Sequence, residues 1–579
     1  MTRQITWVGS TAMGSCKEAD FRVWSRGYAV GPDRITYLDD EIGQHLARNQ
    51  DRLAQTAAQM NGCFAAVLIG PPGAWVVTDR IGSVPIYLGP HAASGGMALS
   101  DTPWPIIEGL APAPRITRPA LVDMLTAGYV TGNETLIEGV TTAAPAAITT
   151  IAGGAARTQR YWRYGYFPEA MSADEAADQL TQVLSEVIAR SVAILDRMRG
   201  RAVLTLSGGL DSRLLAGLLA GTTARTPAAV SYGAPDDPEV MVAAEVAAAL
   251  GYDFRSVPLD GSYFNPDFLA RSVDEVGMTT RFTSGTGARH LACEAGDVLV
   301  PGHTGDFVSG GHLPPHAALV GNRAQLHRFL DLRHFRYPGS DRILRQVLPG
   351  GTESRFESLA RTTADFDFSQ DMFGLIDRWN VENRQRRLIL MELRAYERVA
   401  PWILPFYDHA LIDFFARLPH ALRLGQRLYT QVALERVFTG RAAALATIRR
   451  VGKPLRVDEA TALRLERFAR LPKVLRTPVL AGWPLAREAL AWRRGQKVAT
   501  GGPDPIRHWF ASDAGVRRFL TERIQAISVS GVDGEALLAL ANSGTAPEAF
   551  FHRVLTAAIT AQEVQDTATR RWQAARAAR

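Results

Sequence analysis

Ser207, Gly208, Gly209, Leu210, Asp211 and Ser212 follow the largely apolar run Ala202–Leu206 and lead into a leucine-rich stretch, so that two glycines, two hydroxyls and one acid crowd a strand-to-helix turn. In an open α/β sheet, ligands sit at the carboxyl ends of the strands, where the next helix offers unpaired N–H groups to an anion. Gly208 and Gly209 let the backbone approach a phosphate closely, and the Ser207 and Ser212 hydroxyls can donate to the same oxygens. Asp211 would repel that phosphate unless a cation lay between, which points to Mg²⁺ shared by one carboxylate and the substrate phosphates. A Walker loop, G-x-x-x-x-G-K-[ST], is excluded because the lysine and the longer glycine spacing are both missing.

A chain of 579 residues with 46% hydrophobic composition exceeds one core, so two or more domains are expected. Lysine plus arginine (64) barely exceeds aspartate plus glutamate (58), a balance that permits a polyanion partner without implying one. Cys16, Cys63 and Cys293 are too far apart for a disulfide framework or a zinc cluster, which fits a reducing cytoplasm. The N-terminus lacks the pattern of a signal peptide, and no later stretch approaches eighteen uncharged apolar residues, so neither secretion nor membrane insertion is signalled.

The first 150 or so residues alternate short apolar runs with turn residues, as in "CFAAVLIG", "PPG" and "AWVVTDRIG", a β-rich pattern of hairpin type. Near residue 160 the texture changes. Ala176, Leu180, Val183, Leu184, Val187 and Ile188 fall at helical spacing after a Ser172 cap. From Ala202 onward "AVLTL", "AAVSYG", "DFRSVPL" and "DVLVPG" alternate with helical segments, which reads as a parallel sheet covered by helices. Residues 315 to 579 have helical periodicity, and the terminal "TRRWQAARAAR" reads as a frayed helical end with solvated arginines.

S-G-G-L-D-S after a strand resembles the pyrophosphate loop of the asparagine synthetase superfamily and its N-type ATP pyrophosphatase relatives. "DVLVPGHTGDFVSGGH" (297 to 312) is similar to that family's G-E-G-A-D-E-L-F-G-G-Y segment, with Gly302, Gly305, Asp306, Gly310 and Gly311 in register. The match makes Asp306 the second Mg²⁺ ligand; the other reading of Asp306 is a helix cap. "PFYDHALIDFFARLP" (405 to 419) resembles a third family segment, which is mostly structural, and "NGCFAAVLI" and "TDRIGSVPIYLG" resemble the amidotransferase half. The resemblance covers most of residues 55 to 455. It implies an α/β fold in two domains. Residues 1–160 would form a degenerate class II glutamine amidotransferase-like, β-rich (Ntn-type) domain. Residues 161–579 would form an asparagine synthetase-like ATP-dependent synthetase domain, with the parallel sheet of an adenine nucleotide α-hydrolase-like ATP pyrophosphatase and added helices.

The departures bear on function. Glutamine-hydrolysing members expose a nucleophilic cysteine at the mature N-terminus, whereas this chain begins Met1-Thr2-Arg3, Cys16 is internal, and the family's N-G-E-I-Y-N stretch is missing. These differences imply a class B-type member without glutaminase activity, similar to β-lactam synthetase and the lasso-peptide macrolactam synthetases. The implied chemistry uses ATP and Mg²⁺: a carboxylate is adenylated with release of pyrophosphate, then an amine displaces AMP. That amine must be neutral near pH 7, so a base must take its proton. His303 stands where the family carries Glu or Tyr, and histidine titrates near neutrality; the other reading is a turn histidine bonded to backbone.

By the same resemblance Glu392 would orient His303, with Glu397 as a rival, and Lys453 would meet the phosphates and the developing oxyanion. Ser231, Tyr232 and Gly233, at the end of the next strand, and Gly302 would complete the nucleotide site. The family's E-x-R-V-P-F is altered to Pro401-Trp402-Ile403-Leu404-Pro405, which argues against aspartate as acyl substrate. The expected reading is an AMP-forming amide ligase acting on a small-molecule or peptide carboxylate and an amine, including a precursor peptide closed into a macrolactam. Ammonia-dependent asparagine synthesis and a non-catalytic ATP-binding protein are the alternatives. Neither a nucleic-acid nor a membrane partner is expected, and ATP pyrophosphatase chemistry on tRNA is disfavoured because no basic patch is interleaved with aromatics.

Overall fold

The structure, a computed structural model, describes residues 5–451 and 506–578, except for 10–12, 19, 72, 93–94, 154, 235, 338 and 351–353, together with a few positions between 471 and 482. Eleven strands precede residue 161: β1 (Ile5–Trp7), β2 (Gly14–Glu18), β3 (Phe21–Val30), β4 (Thr36–Leu38), β5 (Asn61–Gly70), β6 (Gly73–Thr78), β7 (Tyr87–His91), β8 (Gly96–Ser100), β9 (Thr141–Thr142), β10 (Ala147–Ala152) and β11 (Ala155–Arg160). They form a seven-stranded sheet of order β11-β10-β6-β5-β3-β2, with β4 on β3, and a four-stranded sheet of order β1-β8-β7-β9.

The run "CFAAVLIG" is continuously apolar because β5 is covered on both faces. Phe64, Ala66 and Leu68 pack towards Ile42 and Leu46 of the helix Asp40–Arg48, and Ala65 and Val67 pack towards Val84 and Ile86, just before β7, and Leu99 of β8 in the second sheet. The period of two along a strand makes this partition unavoidable. The expected hairpin is present, β5 and β6 pairing antiparallel from Ala65–Thr78 to Gly70–Gly73.

Ser172 accepts the Glu175 N–H at 3.2 Å and so opens the helix Ala173–Arg197, whose buried side is the expected stripe of Ala176, Leu180, Leu184, Val187 and Ile188. The third sheet is entirely parallel: β12 (Arg201–Thr205), β13 (Ala228–Gly233), β14 (Asp253–Pro258) and β15 (Asp297–Pro301), in the order β14-β13-β12-β15. The chain winds outward from β12 to β14 and then returns to the other side of β12. The crevice between β12 and β15 is therefore the topological switch point, where open α/β sheets bind ligands.

The N-terminal sheets share side-chain packing with the rest of the chain. Tyr28 and Cys63 belong to the same core as Leu404, Phe406 and the parallel sheet, and the Tyr28 hydroxyl accepts the Leu404 N–H at 2.7 Å. A second core joins Leu121 and Leu125 to Phe550, Leu555 and Val564 near the C-terminus. The expected frayed end is corrected there. The helix Thr556–Ala577 runs almost to the last residue, Arg571 pairs with Asp274 at 3.1 Å and lies 4.9 Å over Trp104, and the Trp572 indole donates to the Leu110 carbonyl at 3.0 Å. Those contacts link elements far apart in sequence, which local charge counting does not see.

Cys63 is fully buried and burial pushes its thiol far above the ordinary range, whereas Cys16 and Cys293 are partly exposed. A thiol reagent at pH 7.5 is expected to label Cys16 and Cys293 in the folded protein and Cys63 only after denaturation, as read by peptide mass spectrometry. Among the described residues no helix is long and apolar enough to cross a membrane.

Candidate active site at the switch point of the parallel sheet

The turn after β12 is held by its own hydroxyls. The Ser207 N–H donates to Ser212 Oγ at 3.1 Å, the two serine oxygens are 3.2 Å apart, and the Gly209 N–H donates to Ser207 Oγ at 3.2 Å. The helix Leu210–Leu219 starts immediately after Gly209, which places Asp211 in the first turn. Two residues beyond Asp211, Arg213 is wholly buried. It donates to the carbonyls of Ile448 at 2.6 Å and Arg449 at 2.8 Å, and burial with the nearby Arg450 lowers its pKa to about 10, leaving it charged at neutral pH. A charge-assisted link thus stitches the segment before Arg450 to the helix that carries Asp211. The Val451 N–H also donates to the Gly208 carbonyl at 3.2 Å.

The turn after β15 closes on the first one. The Asp306 N–H donates to Asp211 Oδ2 at 2.7 Å, so the two acidic turns predicted from separate motifs meet in one place. Burial first, and the neighbouring Asp306 carboxylate second, push the Asp211 carboxyl up to about 7; its Oδ1 is buried without a well-formed hydrogen bond among the described residues, although the Tyr429 hydroxyl lies close enough to work against the rise. Both observations fit a cation: it would relieve the repulsion and occupy the orphan oxygen. Among the described residues no group of three or more His, Cys, Asp or Glu has metal-binding geometry, so such a cation would draw its other ligands from water and substrate, as Mg²⁺ does. Asp306 is exposed and sits inside the helix Gly305–Val308 rather than at its N-cap, which is Thr304; the capping reading is thereby removed.

Two glycines permit this approach. A Cβ on Gly302 would stand 2.7 Å from the Ser212 backbone nitrogen, and one on Gly305 would stand 2.5 Å from Asp211 Cγ. Gly302→Ala is expected to cost about 1–3 kcal/mol through overpacking, measurable by urea unfolding, because the obstacle is backbone and cannot rotate away. Between the two glycines Thr304 holds a left-handed φ of 82°, unusual for a β-branched residue. Its hydroxyl donates to Gln385 Oε1 at 3.1 Å, the same oxygen that the Tyr407 hydroxyl meets at 3.1 Å. A strained backbone held by a buried polar network fits a site that must keep its shape.

His303 Nε2 lies 3.5 Å from Glu392 Oε2, and the imidazole stacks on Tyr396 with ring centres 5.9 Å apart. Nδ1 is buried with no hydrogen-bond partner among the described residues, so the backbone-bonded turn histidine is not what the structure contains. Glu397 instead pairs with Arg26 at 3.2 Å and accepts from the Trp402 indole at 3.3 Å, away from His303. Ser231 is buried at the end of β13, Tyr232 is half-buried with its ring against Gly287, and Gly233 ends the strand with φ 148°. Since β13 neighbours β12, these three share the sheet edge that carries Ser207 and Asp211. Lys453 lies outside the described residues.

Arg450 and Tyr429 are neighbours of Asp211 that the motifs do not reveal. Arg450, which donates to Gln426 Oε1 at 3.3 Å, works against the rise of the Asp211 pKa and is a cation already at the site. "IRRVGKPLR" displays a run of cations without telling which of them turns inward.

No curated protein matches the chain. Among solved structures, the glutamine phosphoribosylpyrophosphate amidotransferase of B. subtilis, complexed with ADP and GMP, is 12% identical at a TM-score of 0.17. That alignment covers 49% of this chain and 61% of that one, less than two thirds of its length, and the likeness is too slight to bear on the fold. Residues 183–442, which hold both acidic turns, His303 and Glu392, match the asparagine synthase family model and so support a place in the asparagine synthetase superfamily.

Proposed function

We propose that the chain is an ATP-dependent, AMP-forming amide-bond ligase that acts in the cytoplasm on a substrate bearing both a carboxylate and an amine. The observation that carries this reading is the meeting of Asp211 and Asp306 at the switch point, with one carboxyl desolvated and one oxygen unsatisfied. The family match supports ATP-dependent amide-bond formation in general.

In the first step a substrate carboxylate oxygen bonds to the α-phosphorus of ATP and the bond to the bridging oxygen breaks, releasing pyrophosphate. Asp211 and Asp306 would hold Mg²⁺, which would supply charge neutralisation on that leaving group. The Ser207–Ser212 turn and the helix N-terminus orient the phosphates, with Arg450 adding positive charge. In the second step the amine attacks the acyl carbon, AMP departs, and His303, oriented by Glu392, takes the proton. Ser231, Tyr232 and Gly233 receive the adenine, and Lys453 is assigned to the oxyanion.

In the altered segment Trp402 is buried with its indole on Glu397, and the acid and arginine of the family pattern are replaced. Loss of those two charged groups argues against aspartate as acyl substrate, and a peptide closed into a macrolactam is the class to test first. The test is ATP–pyrophosphate exchange with candidate carboxylates. Exchange that depends on a peptide carboxylate supports the ligase, exchange that depends on aspartate points to asparagine synthesis from ammonia, and its absence with every candidate points to a non-catalytic ATP-binding protein.

A further inference from the structure

Three short π-helical stretches, Asp331–Phe335, Val381–Ile389 and Phe550–Leu555, gather around His334. Each contributes an arginine: Arg333, Arg384 and Arg553. Such turns are rare and frequently mark functional sites. The Arg553 guanidinium donates to the His334 carbonyl at 3.2 Å, and the His334 ring packs on Trp379 with centres 4.8 Å apart. Arg384 is five residues beyond Trp379, one π-turn along the same face.

Positive charge dominates around His334. Burial first, and then Arg333, Arg384, His312 and Arg553, drive the His334 imidazole well below its ordinary value, while the Asp123 carboxylate acts on the Tyr129 hydroxyl beside Arg384 and Arg553. The nearest acids are engaged elsewhere. Asp377 pairs with Arg423 at 2.6 Å, Asp331 with Arg355 at 3.4 Å, and Asp123 accepts the Thr131 hydroxyl at 2.5 Å and faces Arg361. Arg384 is half-buried and, among the described residues, has neither a hydrogen bond nor an ion pair. Arg553 bonds only to backbone carbonyls and lies 6.0 Å over the Tyr337 ring. The Tyr129 hydroxyl, which faces Arg384 and Arg553, and the Tyr337 hydroxyl are buried without hydrogen-bond partners among the described residues. Buried polar groups are normally satisfied, so two unpartnered hydroxyl donors beside two guanidinium groups that have no acid partner among the described residues indicate a missing acceptor.

The cluster adjoins the active-site turn. Gln385, next to Arg384, holds Thr304, and Arg333 donates at 3.1 Å to the carbonyl of His312, at the end of the segment that begins with Gly305.

We propose that Arg384 and Arg553, with the Tyr129 and Tyr337 hydroxyls, form a second anion site that takes a carboxylate group of the substrate other than the one being activated. The assignment to a substrate group rests on the ligase reading; the existence of the site does not. Guanidinium groups bind carboxylates in a two-pronged geometry and phenol hydroxyls add donors, whereas no glycine-rich turn is there to cradle a tetrahedral phosphate.

The test is isothermal titration calorimetry of the full-length protein with glutarate as carboxylate probe and inorganic phosphate in parallel. Glutarate is expected to bind more tightly than phosphate, and both Arg384→Met and Arg553→Met are expected to weaken it about tenfold or more, with Mg-ATP binding changed less than twofold. The proposal is overturned if glutarate does not bind the wild type, if Arg384→Met binds it equally well, or if phosphate binds better. Should Arg553→Met fail to fold, Arg384→Met decides alone, since Arg384 has no hydrogen bond or ion pair to lose among the described residues. If Asp211→Asn retains exchange, the ligase reading falls while the glutarate titration keeps its meaning.

Discussion

Asp211→Asn is expected to lower ATP–pyrophosphate exchange by about 10²–10³-fold or more, since it takes a full charge from the place where charge on the leaving group must be balanced. The same variant should have a distinctive stability profile. The Asp211 carboxyl is pushed up to about 7 by burial and by Asp306, so the folded chain keeps a proton that the unfolded chain has released. Folding stability without divalent cation therefore falls as pH climbs from about 4 to about 7 and stays at the lower level above that. Asp123, raised to about 6 mainly by burial, contributes with the same sign but is present in both proteins, so the difference between them isolates Asp211. The variant should show the shallower pH dependence of thermal midpoint. Mg²⁺ at pH 8 should raise the midpoint of the wild type and leave that of the variant unmoved. Parallel curves for the two proteins would mean that this acid meets no cation.

His303→Ala separates the two chemical steps. Exchange requires only adenylation and its reversal, so it should stay within about twofold of wild type. Amide product should fall by about 10²–10⁴-fold, the usual contribution of a positioned base. Glu392→Gln should lose part of that factor, because it keeps the shape beside Nε2 but weakens the hold on the ring. Mass spectrometry of product beside the exchange assay settles the matter: equal loss in both would refute His303 as base.

What could be read before the structure was whatever depends on neighbours in sequence. The apolar run "CFAAVLIG" with its following turn, the Ser172 cap and the β-strand runs from Ala202 onward all follow from the local pattern, and the structure has each of them. The two acidic turns could be found singly by motif. Their meeting depends on β15 returning beside β12 instead of extending the sheet past β14, a non-local choice. Arg213 was invisible for a related reason: its partners are backbone carbonyls more than 230 residues away, which leave no mark on side-chain patterns. The π-helical stretches also escape, since one extra residue in a turn barely disturbs a pattern of period 3.6. Arg571 misled because an arginine near a chain end looks solvated until the tryptophan beneath it is known.

The neighbouring strands β12 and β15 and the bare α-carbons of Gly302 and Gly305 together set the gap between the two acids. Main-chain geometry, rather than the bulk of nearby side chains, fixes that spacing. The surroundings of the anion site proposed at Tyr129 and Arg384 can therefore be rebuilt while the nucleotide end keeps its dimensions. A library randomised there should yield altered substrate choice far more readily than one randomised at the two turns, which makes this scaffold a promising starting point for new couplings.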